Sequence, residues 1–260
     1  MYLEFFRKAF QERYAYRFNL IVTALGSLLT LWAQVFIWMA LLAGDSTEGI
    51  NIASMLSYVI ISAIIMTLTS TTMSYQLGQK VQTGDIMMDF LRPISLKNYL
   101  FADNLGNNIF QVSFITLPAA IITGLIFGFE IPDSALNILL FLPSLVIGVL
   151  ISFYFHYLVG LLAFWLETTW YIPFFTGALI QLFSGATIPL WFYPEWLYQI
   201  TEWLPFRLIF FEPISILLGE RQGLQLLTIF SFQVMWVGIL WLVERFLWKR
   251  VQTKIVVNGG

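Results

Sequence analysis

Residues 138–164 read ILLFLPSLVIGVLISFYFHYLVGLLAF, a stretch that contains no Asp, Glu, Lys or Arg. The hydrocarbon core of a bilayer is roughly 30 Å thick and needs about 20 apolar residues in a helix to cross it. This stretch exceeds that length. It therefore predicts a helix that spans a membrane.

Five further stretches have a similar character. They cover residues 20–43, 52–75, 109–129, 171–188 and 224–248. Six such stretches predict an all-α integral membrane protein with six transmembrane helices, organised as a single transmembrane domain over residues 1–260. The composition agrees, because 59% of the residues are hydrophobic and only 11% are charged, against roughly 25% charged residues in soluble domains.

The residue content excludes several kinds of site. The chain has no cysteine and one histidine, His156, so it has no disulfide, thiolate nucleophile or cysteine metal site. It has no G-x-x-x-x-G-K-[ST] phosphate loop and no H-E-x-x-H zinc motif. No chain of carboxylates inside the spans resembles a proton relay, and we expect Glu244 to pair with its neighbour Arg245. An enzyme and an autonomous ion-driven transporter are both disfavoured.

The basic residues lie almost entirely on one side of the six predicted spans. Eleven of the 13 Lys and Arg residues precede the first span, lie between the second and third, or end the last. Only Arg207 and Arg221 fall on the other side. The positive-inside rule therefore predicts that both termini are cytoplasmic.

The N-terminal residues 1–18 have the pattern of an amphipathic helix. Leu3, Phe6, Phe10 and Tyr14 recur at three- and four-residue spacing, with charged residues on other faces. Basic and aromatic residues together indicate a helix in the membrane interface. The alternative is a soluble helical lead-in to the first span.

A polar segment, residues 76–100, separates the second and third spans and reads QLGQKVQTGDIMMDFLRPISLKNYL. It predicts a short cytoplasmic helix from Thr83 or Gly84 to Leu91, since Asp85 suits the positive end of a helix dipole and Pro93 ends a helix. The side chains divide into an apolar ridge of Ile86, Phe90 and Pro93, with Met87 and Leu91 adjacent, and a polar set of Asp85, Asp89 and Arg92. Such a helix is typical of a docking element. The alternative is an interfacial helix that only anchors the loop.

Two smaller polar groups are candidates for function. Asp103, Asn107 and Asn108 stand at the cytoplasmic start of the third span. They form either the mouth of a substrate path or ordinary helix caps and interfacial residues. Glu167, in the turn between the fourth and fifth spans, is a second cytoplasmic contact point.

The segment 184–220 is neither a loop nor a complete span. Pro189, Pro194, Pro205 and Pro213 divide it, and Trp196 is one of several aromatic residues that match an outer interfacial belt. We expect residues 189–220 to form short re-entrant helices, which survive at membrane depth only where protein or water satisfies their backbone.

The order of these elements resembles the permease subunit of ABC type-2 exporters. Three motifs carry the resemblance. The S-G…P…P-E-W-L…P signature corresponds to Ser184-Gly185, Pro189, Pro194-Glu195-Trp196-Leu197 and Pro205; a Y-R-x-N entry corresponds to Tyr16-Arg17-Phe18-Asn19; and a G-x(n)-L-R-P motif corresponds to Gly84 and Leu91-Arg92-Pro93. The last two are similar to a branch of stand-alone permeases that includes viologen-type exporters.

This resemblance implies a division of labour. A separate ATPase subunit would bind ATP and magnesium, and this chain would carry no cofactor and bind no nucleic acid. The helix from Gly84 to Pro93 would dock on the ATPase, with Glu167 as a second contact, and two identical or related permease chains would pair in the bacterial inner membrane. The cargo would be an amphipathic, lipid-like or cationic organic molecule. The alternative is an ATP-independent carrier or a membrane scaffold.

Overall fold

A computed structural model describes residues 17–43, 52–90, 95–130, 134–166 and 168–258. Every regular element in these ranges is a helix. In chain order the α-helices are α1 (Arg17–Leu42), α2 (Ile52–Thr69), α3 (Met73–Thr83), α4 (Ile86–Phe90), α5 (Leu96–Gln111), α6 (Leu117–Phe127), α7 (Ala135–Leu161), α8 (Ile172–Phe183), α9 (Glu195–Trp203), α10 (Phe211–Leu217) and α11 (Leu224–Asn258). A π-helical turn, Val112–Thr116, joins α5 to α6, and 3₁₀ turns lie at Leu162–Phe164, Leu190–Phe192 and Phe206–Leu208.

Within the described residues, five helical stretches are long and apolar enough to cross a membrane. They are Leu20–Leu42, Ile52–Thr83, Leu96–Phe127, Ala135–Phe164 and Leu224–Lys254. Large apolar side chains on them, such as Leu125, Leu139 and Leu227, are exposed, which suits contact with lipid and would be unfavourable in water. The prediction of an all-helical, multi-pass membrane protein is confirmed.

The sixth predicted span, residues 171–188, forms a shorter helix. Helix α8 has 12 residues and is about 18 Å long at 1.5 Å per residue. That is less than the roughly 30 Å of a bilayer core. A sixth complete span therefore stays a prediction, as does the single-domain organisation.

Two span boundaries differ from those expected. The third apolar stretch was predicted to begin at residue 109, but the helix already begins at Leu96, because its polar residues are hydrogen-bonded within the protein. The second was predicted to run to residue 75, but α2 ends at Thr69 and α3 begins at Met73. The predicted interfacial helix 1–18 lies outside the described residues, except for the backbone of its last two positions.

The chain packs into two compact units, of which unit 1 contains the first three apolar stretches. Unit 1 comprises Met1–Ser70, Ala102–Pro143 and Pro213–Gln222. Its helices are joined by polar contacts: Trp32 Nε1 donates to Thr123 Oγ1 at 3.1 Å, and the hydroxyls of Thr67 and Thr116 lie 2.8 Å apart. These pairs tie α1 and α2 to the third apolar stretch.

Unit 2 comprises Thr71–Phe101, Ser144–Glu212 and Gly223–Gly260. Its principal hydrophobic cluster draws on α3, α4, the start of α5, the end of α7 and the C-terminal part of α11. The buried members are Met73, Leu77, Ile86, Leu96, Leu100, Phe153, Tyr157, Leu161 and Val251. Unit 2 therefore holds the predicted docking segment against two long helices.

Candidate functional site

The predicted docking helix begins later than expected. Helix α3 ends at Thr83, and Gly84 follows with φ +83°, a left-handed conformation that glycine adopts without strain. Because this cap stops α3, α4 begins only at Ile86 and ends at Phe90. Asp85 lies in the turn between them, where its carboxylate accepts a hydrogen bond from Thr83 Oγ1 at 2.7 Å. Leu91, Arg92 and Pro93 lie outside the described residues.

One side of α4 faces into unit 2. Ile86 is buried, and Asp89 is only 6% exposed. Lys80 Nζ, on α3, donates to Asp89 Oδ2 at 2.6 Å, while the Phe90 ring lies 5.7 Å from the Trp248 ring on α11. The sequence assigned Asp89 to a set available for contacts with a partner, whereas here it fastens α4 to α3.

The opposite side of α4 is open. Met87 is 43% exposed and Met88 is 64% exposed, and Gly84 and Asp85 beside them are also exposed. Two exposed methionines form a flexible, polarizable apolar surface of the kind that binds partner proteins. The outward surface of this segment is therefore Gly84, Asp85, Met87 and Met88.

Helix α3 packs closely on α7 and on the turn that follows it. A Cβ added at Gly78 would lie 2.8 Å from Thr169 Cβ, and one added at Gly160 would lie 3.1 Å from Ser74 Cα. No side chain fits at either glycine without a shift. The predicted second contact point, Glu167, lies outside the described residues, but its neighbour Thr169 is buried against α3.

The C-terminal part of α11 also contacts the turn that follows α7. Lys254 Nζ donates to the Phe164 carbonyl at 2.5 Å and lies 5.5 Å from the centre of the Trp165 ring. The turn is thus fixed to both α3 and α11. A force on α4 or on this turn would reach α3, α7 and α11 directly.

A second ion pair joins α5 to α11. Lys97 Nζ donates to Glu244 Oε2 at 3.0 Å, and Glu244 is 5% exposed. The expectation that Glu244 pairs with Arg245 is wrong. The Glu244 carboxylate accepts from Lys97, whereas the Arg245 guanidinium lies 4.3 Å from the centre of the Trp241 ring. Neighbouring residues on a helix do not face each other, so a partner on another helix was the better expectation.

The predicted substrate-path residues lie in unit 1. Asn108 is buried, and its Nδ2 donates to the carbonyls of Leu68 at 2.7 Å and Ser70 at 2.8 Å. These carbonyls are freed where α2 ends, so Asn108 acts as a structural cap. Asp103 is partly buried, and the Asn107 Oδ1 atom is buried without a hydrogen-bond partner among the described residues. The path assignment stays a prediction for all three residues.

The proline-divided segment forms short helices, as its sequence predicts. Pro189 and Pro194 precede a 3₁₀ turn and α9, and Pro205 precedes a second 3₁₀ turn; Trp196 is exposed. The Tyr193 hydroxyl donates to the Leu182 carbonyl at 2.7 Å. Re-entry of this segment into the membrane stays a prediction.

Two polar anchors of this segment were missed by the sequence interpretation. Gln233, fully buried on α11, donates through Nε2 to the Ser144 carbonyl at 3.0 Å, the Ser144 hydroxyl at 2.9 Å and the Leu208 carbonyl at 3.1 Å. Arg207 lies 3.5 Å from the buried Glu212 carboxylate. An available signal was the presence of Arg207, Glu212 and Gln233 in otherwise apolar sequence, since buried polar groups need partners.

Comparison with models of known protein families gives a match over most of the chain. A family model described as "ABC-2 family transporter protein" matches residues 28–259. Neither the curated proteins nor the solved structures contain a significant match to the chain.

Proposed function

We propose a function from one premise: this chain belongs to the ABC-2 transporter family, whose model covers all but its first 27 and its last residue. The proposed function is that of the transmembrane subunit of an ATP-binding cassette exporter. A separate subunit would bind ATP and magnesium and hydrolyse the nucleotide. The viologen-exporter-like branch remains part of this proposal, carried by the resemblance at Tyr16-Arg17-Phe18-Asn19 and Gly84 to Pro93.

The observation that carries the proposal is the two-sided character of α4. Its inner side is fixed by the Lys80–Asp89 ion pair and by the contact of Phe90 with Trp248. Its outer side presents Met87 and Met88. A docking helix needs both properties, because a partner must reach one side and the force must leave through the other.

We infer a route for that force within unit 2. Closure of the ATPase subunits would press on Met87, Met88 and the turn around Glu167. The α4 helix would pass this movement to α3 through Asp89 and to α11 through Phe90. ATP would drive transport only if it binds one permease conformation more tightly than the other, and α4 is where the difference would be transmitted.

We propose that the chain crosses a bacterial inner membrane six times, with both termini in the cytoplasm. Helix α8 and the short helices after it would together complete the fifth crossing. Two copies of the chain, or this chain and a related one, would pair. The cargo would be an amphipathic, lipid-like or cationic organic molecule that passes Asp103, Asn107 and Asn108.

A pull-down from the native membrane tests the assignment. The chain is purified in mild detergent, its partners are identified by mass spectrometry, and the eluate is assayed for ATP hydrolysis. We expect a stoichiometric subunit carrying a G-x-x-x-x-G-K-[ST] loop. Recovery of this chain alone, with no ATPase activity, would instead favour an ATP-independent carrier or a scaffold.

A further inference from the structure

Unit 2 contains a cavity of about 480 Å³ beside the docking helix. Ligand sites in proteins commonly have volumes of about 300–1,000 Å³. Helix α4 contributes Phe90, α5 contributes Lys97, α7 contributes Tyr157, and α11 contributes Glu244, Arg245 and Lys249. The cavity thus touches α4 and α11, two of the helices on the proposed route of the docking movement.

The charge around this cavity is positive. Lys97 neutralises Glu244, and Lys80 neutralises the other lining carboxylate, Asp89. Arg245 and Lys249 remain, one helical turn apart on α11. Within the described ranges no carboxylate pairs with either of them. Among the described residues, the three lining cations and two lining carboxylates give a net charge of +1, and Lys80 beside Asp89 raises it to +2.

The surroundings of the cavity are those of a membrane boundary. On the same two turns of α11, the apolar side chains of Leu242, Val243 and Phe246 are exposed. Trp248 lines the cavity, and further along Arg250 lies 4.8 Å from the Phe246 ring. Apolar exposure that gives way to aromatic and basic residues marks the level where a helix leaves the hydrocarbon.

We propose that this cavity binds a phosphate group carried by an anionic phospholipid. Basic pockets between transmembrane helices on the cytoplasmic side hold such headgroups, and the exposed apolar residues nearby would accept the acyl chains. A soluble phosphate compound would gain nothing from those residues, which is why the lipid is the favoured source. The placement in the cytoplasmic leaflet rests on the proposed function and its topology; the binding itself does not.

Bound lipid would connect three elements at once. Its phosphate would lie among Lys97, Arg245 and Lys249, and its glycerol end would lie beside Phe90. The ligand would hold α4 and the start of α5 against α11, so that anionic lipid favours the docked arrangement of α4.

The test uses the purified, delipidated chain in a neutral detergent. Phosphatidylglycerol is titrated and binding is counted by native mass spectrometry, with zwitterionic phosphatidylcholine, which has no net charge, as the comparison. The double variant Arg245→Gln/Lys249→Gln should bind phosphatidylglycerol about 30-fold more weakly, since each cation near an anionic headgroup contributes about 1 kcal/mol, or roughly fivefold. Arg250→Gln removes a neighbouring cation that does not line the cavity, and should change binding by less than about twofold.

The possible results separate the sources of the phosphate. Selective loss in the double variant, with inorganic phosphate and glycerol 3-phosphate failing to displace the lipid, supports the proposal. Displacement by either compound at equal concentration would assign the site to a soluble phosphate and overturn the lipid. Equal binding of the two lipids, or equal loss in Arg250→Gln, would overturn the site altogether. The lipid-binding test uses this chain without an ATPase. A negative result would therefore overturn the lipid site and leave the proposed function, which depends on an ATPase partner, unaffected.

Discussion

Lys80 Nζ lies 2.6 Å from Asp89 Oδ2, and this ion pair joins the end of α3 to α4. Helix α4 ends before Ser95, and an isolated helix shorter than about 12 residues is marginal in water. Its position depends on this pair, on buried Ile86 and on the contact of Phe90 with Trp248. The pair therefore decides whether Met87 and Met88 face outwards in one defined orientation.

Reversal of one charge in this pair should release α4. In Lys80→Glu two carboxylates would face each other, and we expect amide hydrogen exchange at residues 86–90 to rise at least about tenfold, which corresponds to about 1.4 kcal/mol of local stability. Exchange is measured by mass spectrometry of the detergent-solubilised protein. The double variant Lys80→Glu/Asp89→Lys restores the opposite charges and should recover most of the protection; no recovery would show that the pair does not hold α4.

A charge on the outer side of α4 should disturb docking without disturbing the fold. Met88 is exposed, so Met88→Glu should change stability by less than about 0.5 kcal/mol and reduce ATPase recovery in a pull-down at least about tenfold. Thr253→Glu adds the same charge at an exposed position near the C-terminal end of α11 and is the matched control. Equal ATPase recovery with both variants would argue against Met88 as a contact.

Loss of Lys97 should destabilise the protein more than loss of the charge on Glu244. Lys97→Ala leaves a buried carboxylate without its ion-pair partner and should lower stability by about 3 kcal/mol. Glu244→Gln keeps the shape and a hydrogen-bond acceptor, and should lower it by about 1 kcal/mol. Thermal unfolding in lipid-free neutral detergent measures both, with the exposed Lys249→Ala as the control. The reverse order would mean that the carboxylate is solvated in the protein.

Gln233 should prove the main polar anchor of the segment after α8. Gln233→Leu removes three hydrogen bonds and leaves the Leu208 carbonyl without this donor, so we expect a loss of about 2–3 kcal/mol of unfolding free energy. Gln225→Leu makes the same change at an exposed position on the same helix and should be nearly neutral. Similar melting temperatures for the two variants would contradict an anchoring role.

The fold was largely predictable because hydropathy is a local signal. The stretch 138–164 and four others form long helices as expected. The start of α5 at Leu96 was not predicted. A helix that continues beyond the bilayer carries polar residues, here Lys97 and Asn108. Such residues are equally typical of a loop when their hydrogen-bond partners are unknown. The stretch 171–188 contains no charged residue, yet its helix stops at Phe183, where the proline-divided segment 184–220 begins.

A short helix in the polar segment between the second and third spans was predictable, but the orientation of its side chains was not. Glycine, aspartate and proline residues indicated where this helix lies; its docking role stays a prediction. The inward turn of Asp89 could not be predicted, because it depends on Lys80 nine residues earlier and on how α3 packs through Gly78 on Thr169. The pairing of Lys97 with Glu244, 147 positions apart, likewise requires the tertiary structure.

Photocrosslinking from position 88 tests the docking claim most directly. The chain has no cysteine, so Met88→Cys provides a unique attachment point for benzophenone maleimide in native membranes. The account predicts a light-dependent adduct between this chain and a subunit with a nucleotide-binding phosphate loop, and little or none from Thr253→Cys. Equal labelling and expression without such an adduct at position 88, or an adduct formed only from position 253, would contradict it.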